Sequence, residues 1–375
     1  MEGDHIKINE FLRPLSWIYG LVVGIRNMMF DCGLLRSESF DIPVISVGNL
    51  TVGGTGKTPH SEYLVRLLQG KFQIGLLSRG YKRKTRGFLL ANADTTMPEI
   101  GDEPYQMKLK FPGIHLAVDK NRRRGIHKLA DDEQIKPTTD VIILDDAYQH
   151  RYVTPGINIL LMDYHRLICF DALLPAGRLR EHKYNKRRAD IVIVTKCPKS
   201  ITPMEKRGIS RSLELYPWQK LFFSTFQYGQ LYNLFDPSLP RIPLEHLKET
   251  RPSVLLLTGI GSPEQMEYDL SQFTAFKSLK FSDHHNFKKK DIRQIENSFS
   301  ELSGENRLII TTEKDATRLM HCEGFCEEVK KSLYVLPAEV VIMNDEEYFN
   351  ETIIGYERKN SRNSTLLKRK NDNKS

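Results

Sequence analysis

The chain has 375 residues, enough for about two domains, and with 40% hydrophobic and 27% charged residues it has the composition of a folded protein rather than a disordered one. The formal charge is +8, but Tyr356–Ser375 alone holds seven Lys/Arg against two Asp/Glu, so the remaining body is close to balanced and its basicity is no argument for binding nucleic acid. Five scattered cysteines exclude a disulfide framework, lack zinc-ligand spacing, and fit a reducing cytosol.

The first element, within residues 8–35, has no charge-free run longer than the twelve residues between Arg13 and Arg26, too short to span a bilayer. Met1-Glu2-Gly3-Asp4 lacks the basic start of a signal peptide, so none is expected. Leu15, Ile18, Val22, Ile25 and Met29 recur at helical spacing, with Trp17 and Tyr19 beside them. Periodicity leaves two readings open: a helix packed on the core, or one lying at a membrane interface.

Next, β-branched runs alternate with helical stretches. Strands are predicted at Pro43–Val47, Ile74–Leu77, Ile114–Val118, Val141–Leu144, Ile157–Met162, Ile191–Thr195, Leu221–Ser224, Val254–Thr258, Leu308–Thr311 and Tyr334–Pro337. Helices are predicted at His60–Leu68, Tyr105–Lys110 and Asn121–Asp132. Apolar strands alternating with helices imply an α/β fold with a mostly parallel sheet covered on both faces. The Pro- and aromatic-rich stretch 198–252 marks the passage to a smaller second α/β lobe. The predicted parts are an N-terminal helix over 1–36, a nucleotide-binding core over 37–200, the second lobe over 201–355, and a disordered basic tail over 356–375.

The sharpest motif is strand, glycine-rich turn and helix: Val47-Gly48-Asn49-Leu50, then Thr51-Val52-Gly53-Gly54-Thr55-Gly56-Lys57-Thr58. Such a loop wraps backbone N–H groups around phosphate, Lys57 supplies a charge to the β- and γ-phosphates, and the Thr58 hydroxyl is placed for Mg²⁺. The match departs from G-x-x-x-x-G-K-[ST] at its first position, which is Thr51. A second signal is Val141-Ile142-Ile143-Leu144-Asp145-Asp146, a strand ending in two carboxylates, either metal-holding or turn-capping. ATP and Mg²⁺ are the expected cofactors.

These features suit a kinase, a GTPase or a motor ATPase. The GTPase base-reading sequence has only two lookalikes, Thr195-Lys196-Cys197-Pro198 and Thr312-Glu313-Lys314-Asp315, and neither fits. An acceptor site is hinted at by Gly101-Asp102-Glu103-Pro104 and by Ser282-Asp283-His284-His285-Asn286-Phe287. An Asp hydrogen-bonded to a His accepts a proton from a hydroxyl, although Asp102 also reads as a helix cap and the His pair as a polar loop. Three basic clusters, Arg79 to Lys84, Lys120 with Arg122, Arg123 and Arg124, and Arg178 with Arg180 and Lys183, suit either an anionic substrate or a solvated face.

Together these segments resemble the tetraacyldisaccharide 4′-kinase family, the lipid A 4′-kinases of Gram-negative bacteria. The resemblance is carried by Asn49 to Pro59, Ser78-Arg79-Gly80-Tyr81, Gly101 to Pro104, Asp145-Asp146-Ala147-Tyr148-Gln149-His150, Leu179-Arg180-Glu181 and Asp283 to Phe287. Ala147 and Tyr148 stand where the family usually has Gly and Phe. The resemblance implies transfer of the ATP γ-phosphate to the 4′-hydroxyl of a tetraacyl glucosamine disaccharide 1-phosphate, forming lipid IVA at the cytoplasmic face of the inner membrane. It makes the N-terminal helix membrane-contacting, Asp102 with His284 (or His285) the catalytic pair beside Lys57, and Glu181 a companion of Thr58, Asp145 and Asp146 around Mg²⁺. It also assigns Arg79, Arg122, Arg123 and Arg180 to the substrate. The implied partners are an anionic glycolipid and the membrane surface, with no nucleic acid and no obligate protein partner. The alternative is a P-loop GTPase or metal-insertion chaperone acting on a protein.

Overall fold

A strand buried on both faces must be apolar along its whole length, and all ten predicted runs overlap strands of the computed structural model, seven of them wholly, with only Pro43, Ile114 and Pro337 falling just outside. The structure describes residues 6, 8–261 and 263–357. In chain order the first sheet is built from β1 (Val44–Asn49), β2 (Ile74–Ser78), β3 (Leu89–Leu90), β4 (His115–Val118), β5 (Val141–Asp145), β6 (Ile157–Asp163), β7 (Ile191–Thr195) and β8 (Lys220–Tyr228). The second sheet takes β9 (Tyr232–Asn233), β10 (Ser253–Thr258), β11 (Phe276–Lys280), β12 (Arg307–Thr312) and β13 (Leu333–Leu336), and β14 (Ala338–Ile342) returns to the first.

The chain forms two units, Met1–Thr225 with Val340–Ser375, and Phe226–Glu339. The boundary predicted at 200/201 therefore falls later, because the helix Pro203–Leu213 buries Ile209 and Leu213 against Val192 and Val194 of β7. The helix over 346–357 likewise belongs to the first unit, through the buried Phe349 and Ile353, and not to the second lobe. Residues 358–375 of the predicted tail lie outside the described residues.

In the first unit the strand order is β14-β8-β7-β6-β1-β5-β2-β4-β3. β1 pairs parallel with β5 on one side and β6 on the other, so the chain reverses direction across β1 and opens a crevice at its carboxyl end. In the second unit the order is β11-β10-β12-β13-β9, parallel except for β9. Its strands feed two cores by period-2 alternation. Val254, Leu256 and Ile310 face one, and Leu255, Leu257 and Ile309 the other.

The N-terminal segment forms a single 3₁₀ turn followed by α1 (Arg13–Asp31). Ser16 and Asn27 are 5% and 4% exposed, whereas Trp17 is 72% and Leu21 65% exposed, and Leu15, Ile18, Val22, Ile25 and Met28 are exposed too. The helix thus docks by the side that carries Ser16, Asn27 and, at its end, Phe30, which is buried against Tyr152. Ser16 Oγ donates to Leu173 O (3.0 Å) and accepts from Ala176 N (3.0 Å), Tyr19 Oη donates to Arg180 O (2.8 Å), and a side chain at Gly20 would meet Leu173. No described helix is long and apolar enough to cross a membrane.

Candidate active site

The glycine-rich loop leaves β1 and closes onto the N-terminus of α2 (Lys57–Leu68), with Gly56 at its N-cap in the left-handed region (φ 79°). That conformation lets Lys57 and Thr58 open the helix where N–H groups have no intrahelical partner. Asn49 Nδ2 donates to Thr55 Oγ1 (2.8 Å), and Thr195 Oγ1 at the end of β7 donates to Thr55 O (3.0 Å). Val52 N bonds Arg178 O and Arg180 N bonds Leu50 O, so the loop's first half pairs with 178–180. His60 is buried between Gly56 O (2.7 Å) and Ser224 Oγ (2.9 Å), and burial lowers its pKa to about 4, so it is a neutral strut under the helix. Val52, Gly53 and Gly54 form the loop's outer rim, whereas Thr51 and Thr55 are buried.

β5 pairs with β1 such that Asp145 lies beside Val47. The Asp145 carboxylate is buried and accepts from Ser61 Oγ of α2 (2.9 Å) and Ser78 Oγ of β2 (3.4 Å). Burial pushes its pKa up to about 6, helped by the neighbouring Glu103 and Asp146 charges. Asp146 is held at φ 48° and points between two cations, with Lys57 Nζ at 3.8 Å and Arg180 Nη1 at 3.8 Å. Aspartate is among the few non-glycine residues that adopt this left-handed turn readily. The two carboxylates are therefore unlike: one is buried and hydrogen-bonded, the other faces the phosphate lysine.

Tyr148 and Ala147 fit the turn that follows. Both are buried, Ala147 N bonds Val47 O, and the Tyr148 hydroxyl donates to Asn185 O (2.8 Å) under Arg188. Tyr148→Phe removes the hydroxyl's bonds to Asn185 O and Lys186 O (3.3 Å) and its contact with Arg188, while the ring stays in place. The substitution should cost about 1 kcal/mol of stability by chemical denaturation and leave turnover unchanged.

α3 (Met97–Ile100) and α4 (Asp102–Lys110) meet at Gly101. Asp102 is the first residue of α4 rather than part of a turn ahead of it. Gly101 has φ 93°, and a Cβ there would come 2.8 Å from Tyr81 O, while one at Gly80 would come 2.8 Å from Ile100 O. This backbone contact ties the Arg79-Gly80-Tyr81 turn to the start of α4 and so places Asp102. Gly101→Ala should lose about 1–3 kcal/mol in thermal unfolding and lower kcat as well, since the displaced residue is the neighbour of Asp102.

A cleft of about 1160 Å³ opens on the β5-β2-β4 side of the loop. Its walls come from the ends of β2 (Arg79 to Gly87), β4 (Asp119 to Arg124) and β5 (Asp146 to Tyr152), with Arg180, Glu181 and the inward side of α1. Ten Arg and Lys residues line it against three carboxylates, so its field attracts anions. The four predicted substrate arginines all line it, but differently. Arg79 is exposed, Arg123 lies over the Tyr152 ring (5.3 Å), and Arg180 holds Gln149 Oε1 (3.3 Å). Arg122 opens α5 (Arg122–Asp131), is 2% exposed, and bonds Asp119 O (2.6 Å) and Asp145 O (3.2 Å), so it braces the wall. His150, whose pKa burial and the surrounding arginines lower to about 4, also lines the cleft.

Glu181 is 1% exposed and bonded to Arg188 Nη2 (2.6 Å), Asn27 Nδ2 (3.4 Å) and Gln149 Nε2 (3.5 Å). Its oxygens tether α1 to the cleft. Sequence reasoning missed Ser61, took Ser78 only as part of a motif and Tyr19 only as an interface aromatic; their contacts to Asp145 and Arg180 appear only once the fold brings them to the site.

The second unit holds the His pair, after β11. His285 Nε2 is 3.0 Å from Asp291 Oδ2, and its ring packs on Phe281 and Phe287, a structural setting. His284 stands at φ 56° with Arg318 Nη2 3.3 Å from Nδ1 and Lys314 Nζ 3.3 Å from Nε2.

The sequence model of a family described as tetraacyldisaccharide-1-P 4′-kinase matches residues 8–356. A protein of Phocaeicola vulgatus named tetraacyldisaccharide 4′-kinase is 56% identical over 98% of this chain and 100% of its own length. One of the same name from Bacteroides thetaiotaomicron is 51% identical over the full length of both. Among solved structures, an LpxK from Aquifex aeolicus, described as an "apo" form in complex with ATP, is 30% identical. Its match covers 93% of this chain and 99% of that one, with a TM-score of 0.68.

Proposed function

Because the chain belongs to the tetraacyldisaccharide-1-P 4′-kinase family, we propose that it transfers the ATP γ-phosphate to the 4′-hydroxyl of a tetraacyl glucosamine disaccharide 1-phosphate, yielding lipid IVA. Family membership sets aside the GTPase or metal-insertion chaperone. The observation that carries the reading is the placement of the cationic cleft directly beside Asp146 and Lys57, on the acceptor side of a phosphate-binding loop.

The chain's own residues divide the work. The loop from Thr51 to Gly56 cradles the phosphates through its backbone, and Lys57 neutralises charge that spreads onto the transferring group. Thr58, Asp145 and Asp146 offer hard oxygen donors. Mg²⁺ bound to one or two carboxylates takes the rest of its shell from phosphate and water. When bound, Mg²⁺ supplies neutralisation across the β- and γ-phosphates. The crowding of buried Asp145 against Glu103 and Asp146 is the environment such a cation relieves. Glu181, already bonded to Arg188 and Asn27, holds the wall rather than the metal. Asp102 takes the proton of the attacking hydroxyl, and His284 is the histidine assigned to assist that step. Arg79, Arg123 and Arg180 orient the anionic glycolipid, and Arg122 keeps the wall in place.

The outward apolar side of α1, opposite the side lining the cleft, is the surface proposed to lie on the cytoplasmic face of the inner membrane. The function is tested by product identity. After incubation with ATP and Mg²⁺, mass spectrometry of the acceptor lipid should show one added phosphate on the non-reducing sugar. An unmodified lipid, or a phosphate elsewhere, would overturn the assignment.

A further inference from the structure

The sequence Thr312-Glu313-Lys314-Asp315, which resembles a base-reading motif without fitting one, has a different use in the second unit. Thr312 N-caps the helix Glu313–Leu319, and its hydroxyl bonds Asp315 N (3.1 Å) and Asp315 Oδ2 (2.8 Å). Asp315 is wholly buried, and its Oδ2 also accepts from Gly259 N at the end of β10 (2.9 Å). One helical turn later comes Arg318, 6% exposed. Its Nη1 donates to Asp315 Oδ1 (3.1 Å) and contacts Gly259 O (3.4 Å), while its Nη2 lies 3.3 Å from His284 Nδ1.

We infer that Arg318, locked by Asp315, is a positioning residue that fixes the orientation and tautomer of the His284 imidazole. The inference rests on the reading that His284 serves the transfer. A guanidinium has only donors and keeps its proton, so the nitrogen facing it must accept, and the neutral ring carries its proton on Nε2. Lys314 Nζ, 3.3 Å from Nε2, makes the opposite demand. Arg318 prevails because it is buried and held by two further acceptors. Lys314 is a partly exposed, flexible amine that also has the Asp283 carboxylate at 3.3 Å. The consequence is an Nε2–H donor with the Asp283 carboxylate (Oδ2) 3.9 Å away, on a ring that leaves a left-handed turn and is braced from behind by Arg318.

The test compares full-length variants in steady-state transfer and in ¹⁵N NMR of the His284 ring. Wild type should show the Nε2-protonated tautomer. Arg318→Met should lower kcat about 10- to 100-fold, in the range of lost outer-shell partners, leave KM for ATP unchanged, and mix the two tautomers. The double variant Arg318→Met/Asp315→Asn, which leaves no buried charge unpaired, should behave likewise if Arg318→Met alone folds poorly. Arg318→Lys, which restores a donor, should recover part of the loss. In a His284→Ala background, Arg318→Met should add nothing. If His284→Ala loses activity while Arg318→Met, or the double variant, keeps both wild-type kcat and tautomer, the positioning role is overturned. If His284→Ala itself leaves kcat intact, the reading of His284 falls, whatever Arg318 does.

Discussion

Lys57→Ala should reduce kcat by about 10³-fold, and Asp102→Ala by about 10²-fold, both measured at saturating ATP and acceptor. The ranking follows from the character of phosphoryl transfer. A largely dissociative transition state spreads charge over the transferring oxygens and asks little of a base, so electrostatic stabilisation outweighs proton removal. Lys57 is placed for the first task, at the start of α2 and 3.8 Å from Asp146. Removing it also leaves Asp145, already pushed up to about 6 by burial and neighbouring acids, without its compensating cation. Asp102, the proposed base, stands at the first position of α4. Lys57→Arg should recover little, because a planar fork does not replace a compact ammonium in a narrow loop. Equal losses, or a larger loss for Asp102→Ala, would contradict the ranking and assign the rate to base catalysis.

The second large effect concerns α1. Replacing Leu15, Ile18, Val22 and Ile25 together with Ser should weaken binding to anionic vesicles by at least ~100-fold. Each of these exposed side chains forfeits roughly 1 kcal/mol or more of transfer free energy. Turnover of vesicle-embedded acceptor should fall in parallel, while turnover of acceptor dispersed in detergent should stay near wild type. The substitution is cleaner than deletion. It spares Ser16, Tyr19 and Asn27, whose bonds to Leu173, Arg180 and Glu181 hold the helix against the cleft wall. Unchanged vesicle binding would remove the membrane role from this face.

Much of the fold was legible because parallel strands buried on both faces are unbroken apolar runs, as in Val141–Leu144. The strands that escaped lack that signature. Phe276-Lys277-Ser278-Leu279-Lys280 is an edge strand with exposed lysines, β14 is the opposite edge of the other sheet, and β3 and β9 are two residues long. The phosphate loop was legible because its glycines and Gly56-Lys57-Thr58 are contiguous. The supports of Asp145 were not, since Ser61 and Ser78 come from separate elements that only the sheet brings together. In α1 the period-3.6 stripe was visible, but a stripe does not say which side meets solvent. Buried Ser16 and Asn27 decide that. The adjacent His284 and His285 are indistinguishable as letters and differ only in partners. One is bound by Asp291 between two phenylalanines, the other by Arg318 and Lys314.

The most direct measurement follows the γ-phosphate itself, in single turnovers with γ-labelled ATP, Mg²⁺ and enzyme in excess, with and without tetraacyl disaccharide 1-phosphate. Label should pass to the lipid when the acceptor is present and remain on ATP when it is absent. Release as inorganic phosphate at the same rate in both cases would contradict the account.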